Sequence, residues 1–333
     1  MGYRVCFEGH DTEAVVEHGE SVLEAAVRAG LAVDYGCSGG NCGLCIARLM
    51  DGEVRQVSDW DYVFERGQRD GRHFLMCSHT AAADLRLEAN IAGAAGQIPV
   101  QRFRAKVRRV DEASPQIAVL RLRVSRSHRL RFLAGQEASL SHPRCGDARL
   151  PIASCPCDAG ELEFHLRARG GVRDDAFAAC VAQQCQSGEW FDVEAPHGSF
   201  VFTGNMERPV VLLAWDTHFA FARSLLEHIV AQESDLPIHL YRSGADEPPY
   251  YLDNLCCAWH DALDQLEYTA LPPSAGDGDD DAADSWAERI AADHADLAES
   301  DYYLCLPPPQ AQRAAQALER RGARPGRIFR AES

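Results

Sequence analysis

The sequence predicts a multidomain chain of three units: a small α+β unit, an antiparallel β unit and an alternating α/β unit. Three observations predict that order. An early nine-residue loop, Cys37-Ser38-Gly39-Gly40-Asn41-Cys42-Gly43-Leu44-Cys45, carries three cysteines, and a fourth, Cys77, lies far downstream. Short β-type runs then crowd together between about 101 and 204. From about 208 the pattern becomes continuous apolar strands alternating with helices. With 333 residues and 46% hydrophobic content, the chain can build two or three ordinary cores.

In the first unit, residues 1–95, the N-terminal Met1–Phe7 goes straight into an alternating strand and lacks the apolar core of a signal peptide. Ser21-Val22-Leu23-Glu24 is a capping box, in which the serine hydroxyl caps the helix start and Glu24 reaches back to it. The helix expected over Val22–Ala29 puts Leu23, Ala26 and Val27 on one face and stops at Gly30. Ile46-Ala47-Arg48-Leu49 leaves the cysteine loop as a strand. Phe74-Leu75-Met76-Cys77 brings in the last cysteine on a remote strand, and Leu85-Arg86-Leu87-Glu88 alternates as a closing strand.

C-x4-C-x2-C…C is the spacing of a plant-type [2Fe–2S] site, with Cys37, Cys42, Cys45 and Cys77 as its ligands. Small residues fill the loop because its backbone must curl around inorganic sulfide and aim N–H groups at it. Structural zinc is the competing reading of clustered cysteines. It favours two separate C-x2–4-C knuckles, and the loop supplies only one while Cys77 stands alone. The other cysteines among the thirteen read as reduced thiols. Cys256-Cys257 and Cys155-x-Cys157 lack partners at ligand spacing and read as buried or incidental.

No run approaches the roughly 20 apolar residues of a membrane-spanning helix, so a cytoplasmic protein with no membrane insertion is expected. The net charge of −17 argues against nucleic acid and suits electrostatic docking to a basic redox partner. Asp277-Gly278-Asp279-Asp280-Asp281 reads as a solvated loop. A basic band, Arg102, Arg104, Lys106, Arg108 and Arg109 continuing at Arg121, Arg123, Arg126, Arg129 and Arg131, reads as a solvated sheet face, or as a docking face for the acidic first unit.

Ala92–Pro99 is a small-residue linker. In the second unit, 101–204, strands are expected at Phe103–Val110, Ile117–Val124, Leu162–Arg167 and Trp190–Glu194. The third, 208–333, opens with the strand Val210-Val211-Leu212-Leu213-Ala214 and the helix Phe219–Ala231. It continues with strands at Ile238–Tyr241 and Tyr302–Leu306 and the helix Gln310–Arg320.

This succession resembles the ferredoxin-NADP reductase superfamily over essentially the full chain. Specifically, it resembles the reductase components with an N-terminal ferredoxin that serve multicomponent oxygenases and deoxysugar biosynthesis, the CDP-6-deoxyglucoseen reductase type. The resemblance implies a β-grasp [2Fe–2S] ferredoxin, an antiparallel β-barrel of flavin-reductase type and a doubly wound α/β nucleotide-binding-like unit. It also implies NAD(P)H as hydride donor, FAD as the flavin that splits the electron pair, and an oxygenase or similar protein as acceptor.

Several ligand-contacting positions depart from that family. Arg149-Leu150-Pro151-Ile152-Ala153-Ser154 stands where the family has R-x-Y-S, so the flavin-stacking ring and its neighbouring hydroxyl are missing. Gly171-Val172-Arg173 falls in the family's pyrophosphate loop, followed by Asp174 and Asp175 where a hydroxyl is expected. Trp215-Asp216-Thr217-His218 replaces G-G-T-G, and Cys305-Leu306-Pro307-Pro308 replaces C-G-P-P. Cofactor contacts therefore map onto Arg149, Leu150, Pro151, Ile152, Gly171, Val172, Arg173, Thr217 and Cys305. A cluster is expected; FAD is possible but its binding, and NAD(P)H binding more so, are expected to be weakened or lost. No catalytic acid, base or nucleophile stands out. His197, His218 and Cys305 map closest to the nicotinamide position and read as structural. Two functions follow as expectations: an NAD(P)H-dependent iron–sulfur flavoprotein reductase, or a carrier in which only the cluster is redox-active and the C-terminal units dock partners.

Overall fold

The computed structural model describes residues 2–9, 13–33, 40, 43–64, 66–89, 91–92, 98–125, 130–156, 160–168, 176–202, 208–231, 235–274 and 280–331. The first sheet runs Glu13–Val16, Tyr3–Phe7, Leu85–Ala89, Ile46–Asp51, His73–Leu75 in spatial order. Tyr3–Phe7 and Leu85–Ala89 pair in parallel and the other neighbours antiparallel. Alternation aims Val5 and Phe7 inward, where they meet Leu87 and the helix α1, Val22–Arg28. The capping box forms in full: the Glu24 N–H donates to Ser21 Oγ, and the Ser21 N–H donates to the Glu24 carboxylate at 2.8 Å.

Cys77 does not sit on a strand, as the sequence suggested. It lies in a single 3₁₀ turn, Met76–Ser78, directly after His73–Leu75. That turn buries Met76, Cys77 and Ser78 together, which the two-residue alternation of a strand could not do.

Six antiparallel strands form the second sheet, in the order Gly146–Pro151, Glu137–His142, Trp190–His197, Gln101–Glu112, Ile117–Arg123, Glu161–Arg167. It curls into a half-barrel around Leu120, Leu162, Phe164 and Phe191, and the Ala153 N–H bridges its two edges by donating to the Glu163 carbonyl at 2.8 Å. Helix α2, Ala176–Gln184, packs Phe177, Ala178 and Val181 onto that core.

The basic band does not form a free docking face. Arg102 pairs with Glu194, Arg104 with Asp192, Arg108 with Glu161, and Arg121 with Asp111 and Glu163, mostly across neighbouring strands. Antiparallel register puts opposite charges side by side, which a linear reading of the basic residues alone misses. Arg126 and Arg129 lie outside the described residues.

The third sheet is fully parallel, ordered Leu266–Ala270, Ile238–Ser243, Val210–Trp215, Asp301–Cys305, Ile328–Arg330. Val210 and Leu212 face helices α3, Phe219–Val230, and α4, Asp253–Ala262. Val211 and Leu213 face helices α5, Asp280–Asp293, and α6, Pro308–Arg320. Burial on both faces explains the unbroken apolar run. Strand order reverses at Val210–Trp215, which makes the crevice beyond its C-terminal end the switch point where such sheets bind ligands.

Two further readings change. Asp280 and Asp281 open α5 instead of lying in a loop; Asp277 and Asp279 are outside the described residues. The reading of all non-ligand cysteines as reduced thiols fails, because Cys145 and Cys180 are joined as a disulfide and Cys155 is disulfide-bonded too. The hairpin turn after His142 and the body of α2 bring the first pair to a Cα–Cα distance of 5.3 Å. Cys256 is buried and accepts from Arg242 Nη1 at 3.4 Å, whereas Cys257 is exposed.

Candidate metal centre

The Cys45 and Cys77 sulfurs lie 3.2 Å apart in the buried floor of the first unit. Cys45 enters just before the strand Ile46–Asp51, and Cys77 from the 3₁₀ turn beside it. The Met76 N–H donates to the Cys45 carbonyl at 2.9 Å and fixes the two ligand segments against each other. Cys37 and Cys42 fall outside the described residues.

A hydrogen bond from Cys45 brings the Cys77 thiol down to about 6, burial opposes this, and Ser78 Oγ and the Gly40 N–H reinforce it. Thiolate is the form that ligates iron, so the donors around Cys77 favour the required state. Phe74, Leu75 and Met76 exclude water on one side, and Trp60, stacked obliquely on the buried His79 at 5.0 Å between ring centroids, borders the other. Burial holds His79 below its ordinary value, so it stays neutral at pH 7.

Two glycines make room for the loop. Gly40 has φ +80°, and a Cβ there would come within 2.5 Å of Trp60 Cβ. Gly43 has φ +73°, and a Cβ there would enter the Tyr62 ring. The two sulfurs and the donors around Cys77 fit a [2Fe–2S] group, and the glycines let the loop backbone pack directly against Trp60 and Tyr62.

The flavin positions are placed differently. Arg149 binds Glu137 at 2.7 Å, Leu150 packs against the half-barrel core, Pro151 ends its strand, and Ile152 is fully buried inside that core. These side chains give a flavin no aromatic face and no hydroxyl. Beyond them, Ser224 Oγ on α3 donates to the Ser154 carbonyl at 3.0 Å, joining the strand end directly to the α/β unit. Gly171, Val172 and Arg173 lie outside the described residues.

At the switch point a cavity of about 170 Å³ is lined by Arg167, Asp216, Arg242, Ser243 and Asp246. Asp216, at φ +49°, buries its carboxylate 2.6 Å from Arg167 Nη2, and Arg167 also reaches Asp246 at 2.7 Å. Burial pushes the Asp216 carboxyl up, and Arg167 and the Thr217 N–H work against that shift. The buried Arg242 stacks 3.7 Å above the Phe219 ring and near Tyr251, whose hydroxyl lies 2.9 Å from His165 Nδ1. Trp215 Nε1 donates to Ser274 Oγ at 3.1 Å. A dinucleotide phosphate needs open backbone N–H groups at the start of α3, and this turn offers an indole and a carboxylate instead. The residues present do not fit that ligand in that place. Thr217 is half-buried in the turn; Cys305 is fully buried, and burial raises its thiol well above the ordinary value.

The structure thus brings Cys45 and Cys77 together, and Thr217 near the end of the strand paired with Cys305. Sequence reasoning missed Ser78, Trp60, Arg167, Arg242 and Asp246, all of which meet the sites through long-range contacts without a local signal.

Residues 6–82 match the 2Fe-2S iron-sulfur cluster binding domain. The N-terminal unit is a [2Fe–2S] ferredoxin-type domain. The chain is also similar to the reductase component 2 of terephthalate 1,2-dioxygenase from Comamonas sp., at 29% identity over 87% of this chain and 84% of that protein. It is similar to the reductase component of propane 2-monooxygenase from Mycolicibacterium smegmatis, at 26% identity over 95% and 93%. In fold it is similar to a solved cytochrome P450 reductase of Amycolatopsis, with TM-score 0.60, 21% identity and 98% of both chains covered. The ferredoxin-type domain therefore heads a chain homologous to oxygenase reductase components.

Proposed function

We propose that the protein is an iron–sulfur electron-transfer oxidoreductase that passes single electrons to an oxygenase-type protein partner. The observation that carries this reading is the buried Cys45–Cys77 pair inside a matched cluster-binding domain. A bound [2Fe–2S] group supplies a one-electron couple. The chain's own residues hold two ligand sulfurs in a donor-rich floor, exclude water through Phe74 and Met76, and keep His79 neutral beside them. The reductase components it resembles support an upstream flavin and NAD(P)H; a cytoplasmic setting belongs to the same proposal. The net charge of −17 supports electrostatic docking to a basic partner and argues against nucleic acid. No helix among the described residues is long and apolar enough to cross a membrane.

A second reading rests on one observation, the Arg167–Asp216 pair at the switch point, while the similarity to reductase components favours the first. In that reading the cluster is the sole redox group and the C-terminal units dock partners. Anaerobic visible spectra of the full chain separate the two, with acid release of flavin and additions of NADH and NADPH. Stoichiometric FAD with nucleotide-driven bleaching of the cluster is the outcome expected of the reductase. A flavin-free cluster spectrum, unresponsive to both nucleotides, rejects it in favour of the carrier.

A further inference from the structure

We propose that His142, Cys145, Cys180 and Cys185 form a structural zinc site on the half-barrel, separate from the iron–sulfur centre. Two short ligand pairs arrive from two different elements. His142-x2-Cys145 occupies the tight turn after the strand Glu137–His142, closed by Gly146 at φ +85°. Cys180-x4-Cys185 spans the last turn of α2 and the residue beyond it. Spacings of two to four residues within a pair, with the pairs far apart in sequence, are those of structural zinc sites. A scan for paired cysteines passes over the first pair because a histidine stands in for one of them.

The geometry agrees with the spacing. An imidazole nitrogen of His142 and the sulfurs of Cys145 and Cys185 all lie within 4.8 Å of one another. The Cys145 and Cys185 sulfurs are 3.8 Å apart. Two thiolates bound tetrahedrally at a Zn–S distance of about 2.3 Å stand about 3.8 Å apart. Cys180 completes the set, being bonded to Cys145 in the same cluster.

An outer shell is in place as well. The Glu189 carboxylate lies 3.1 Å from His142 Nε2, and Arg144 holds that carboxylate at 2.5 Å while donating to the Gln184 carbonyl at 3.1 Å. A carboxylate on the outer nitrogen orients a ligating imidazole. The inner nitrogen, Nδ1, accepts a long hydrogen bond from the Arg144 N–H at 3.4 Å, which the metal replaces.

The disulfide Cys145–Cys180 is the oxidised form of this site. A dithiol reductant cleaves it: two electrons and two protons pass to the sulfurs, giving two thiols, and the dithiol closes on itself as a cyclic disulfide. Zn²⁺ then binds Cys145, Cys180 and Cys185 as thiolates and His142 as neutral imidazole, releasing one proton per thiol. The metal ties the C-terminal end of α2 to the hairpin, adding to the packing of Phe177, Ala178 and Val181 on the core.

The test uses the full chain, reduced with a phosphine, supplied with zinc sulfate, desalted anaerobically and assayed for both metals. One zinc per chain is expected beside the cluster iron. Cys185→Ser and His142→Ala should lower zinc at least tenfold and keep the visible cluster spectrum, while Cys77→Ser should lose iron and keep zinc. Absence of zinc in the reduced wild type, or full zinc in Cys185→Ser, overturns the proposal and leaves a plain disulfide. If a variant misfolds, oxidation of zinc-loaded wild type with a diazene decides the question. Zinc release in step with formation of the Cys145–Cys180 disulfide, cluster iron retained, supports the site; zinc held through complete disulfide formation overturns it.

Discussion

The Asp216 carboxylate lies 2.6 Å from the Arg167 guanidinium and links the turn after the central parallel strand to the edge strand of the half-barrel. Both groups are largely withdrawn from water, so removing one leaves the other charge buried. Asp246 is a second acceptor for Arg167 and softens that loss. Asp216→Ala should destabilise the protein by about 2–4 kcal/mol. The double variant Arg167→Met/Asp216→Ala should cost less than the sum of the single changes. Urea unfolding of the four proteins in the cycle measures this, and strict additivity would show that the pair is not coupled.

Gly43→Ala should cost about 1–3 kcal/mol and lower the iron content of the purified protein, because the new Cβ meets both a left-handed backbone and the Tyr62 ring. Gly9→Ala is the control, since Gly9 has φ +80° with nothing within 4 Å of its Cβ. It should show only the backbone strain of about 1 kcal/mol and keep full iron. Equal behaviour of the two variants in thermal melts and iron assays would refute the crowding argument.

Cys42→Ser and Cys77→Ser should each abolish or strongly shift the visible spectrum and drop iron below the amount a [2Fe–2S] group requires. An unchanged spectrum in either variant would mean that the ligand set is misassigned.

Burial holds the His228 imidazole down at about 4, against about 6.5 in an unfolded chain. The unfolded state therefore binds the extra proton in the window between those values. Stability from this group is complete above pH 6.5 and is lost as pH falls toward 4, with an upper bound of about 3 kcal/mol. Glu163 contributes in a lower window. Burial alone would raise it, but the His165 hydrogen bond and the charges of Arg223 and Arg121 bring it to about 2, so its contribution persists until pH falls below about 4.5. His228→Gln should make the pH 4–6.5 limb of a stability curve shallower, without abolishing it because burial holds His239 at about 4 as well, and should leave the more acidic limb intact. A parent-like slope in the variant would assign that limb to other groups.

What the sequence alone determined was local. The capping box at Ser21 and Glu24 forms because both partners lie within one turn, and Val210–Ala214 reads as a buried parallel strand because both its faces are apolar. The spacing of Cys37, Cys42, Cys45 and Cys77 named the cluster because ligand geometry constrains spacing directly. Helix α5 escaped because its acidic opening resembles a solvated loop until Trp286 and Ile290 find the sheet. Tertiary structure alone decided the rest. It neutralised the basic band through antiparallel register, placed the Arg167–Asp216 pair at the switch point, and gathered His142, Cys145, Cys180 and Cys185 at one corner. Each depends on residues distant in the chain, whose contacts are fixed by the packing of whole elements and leave no periodicity to read.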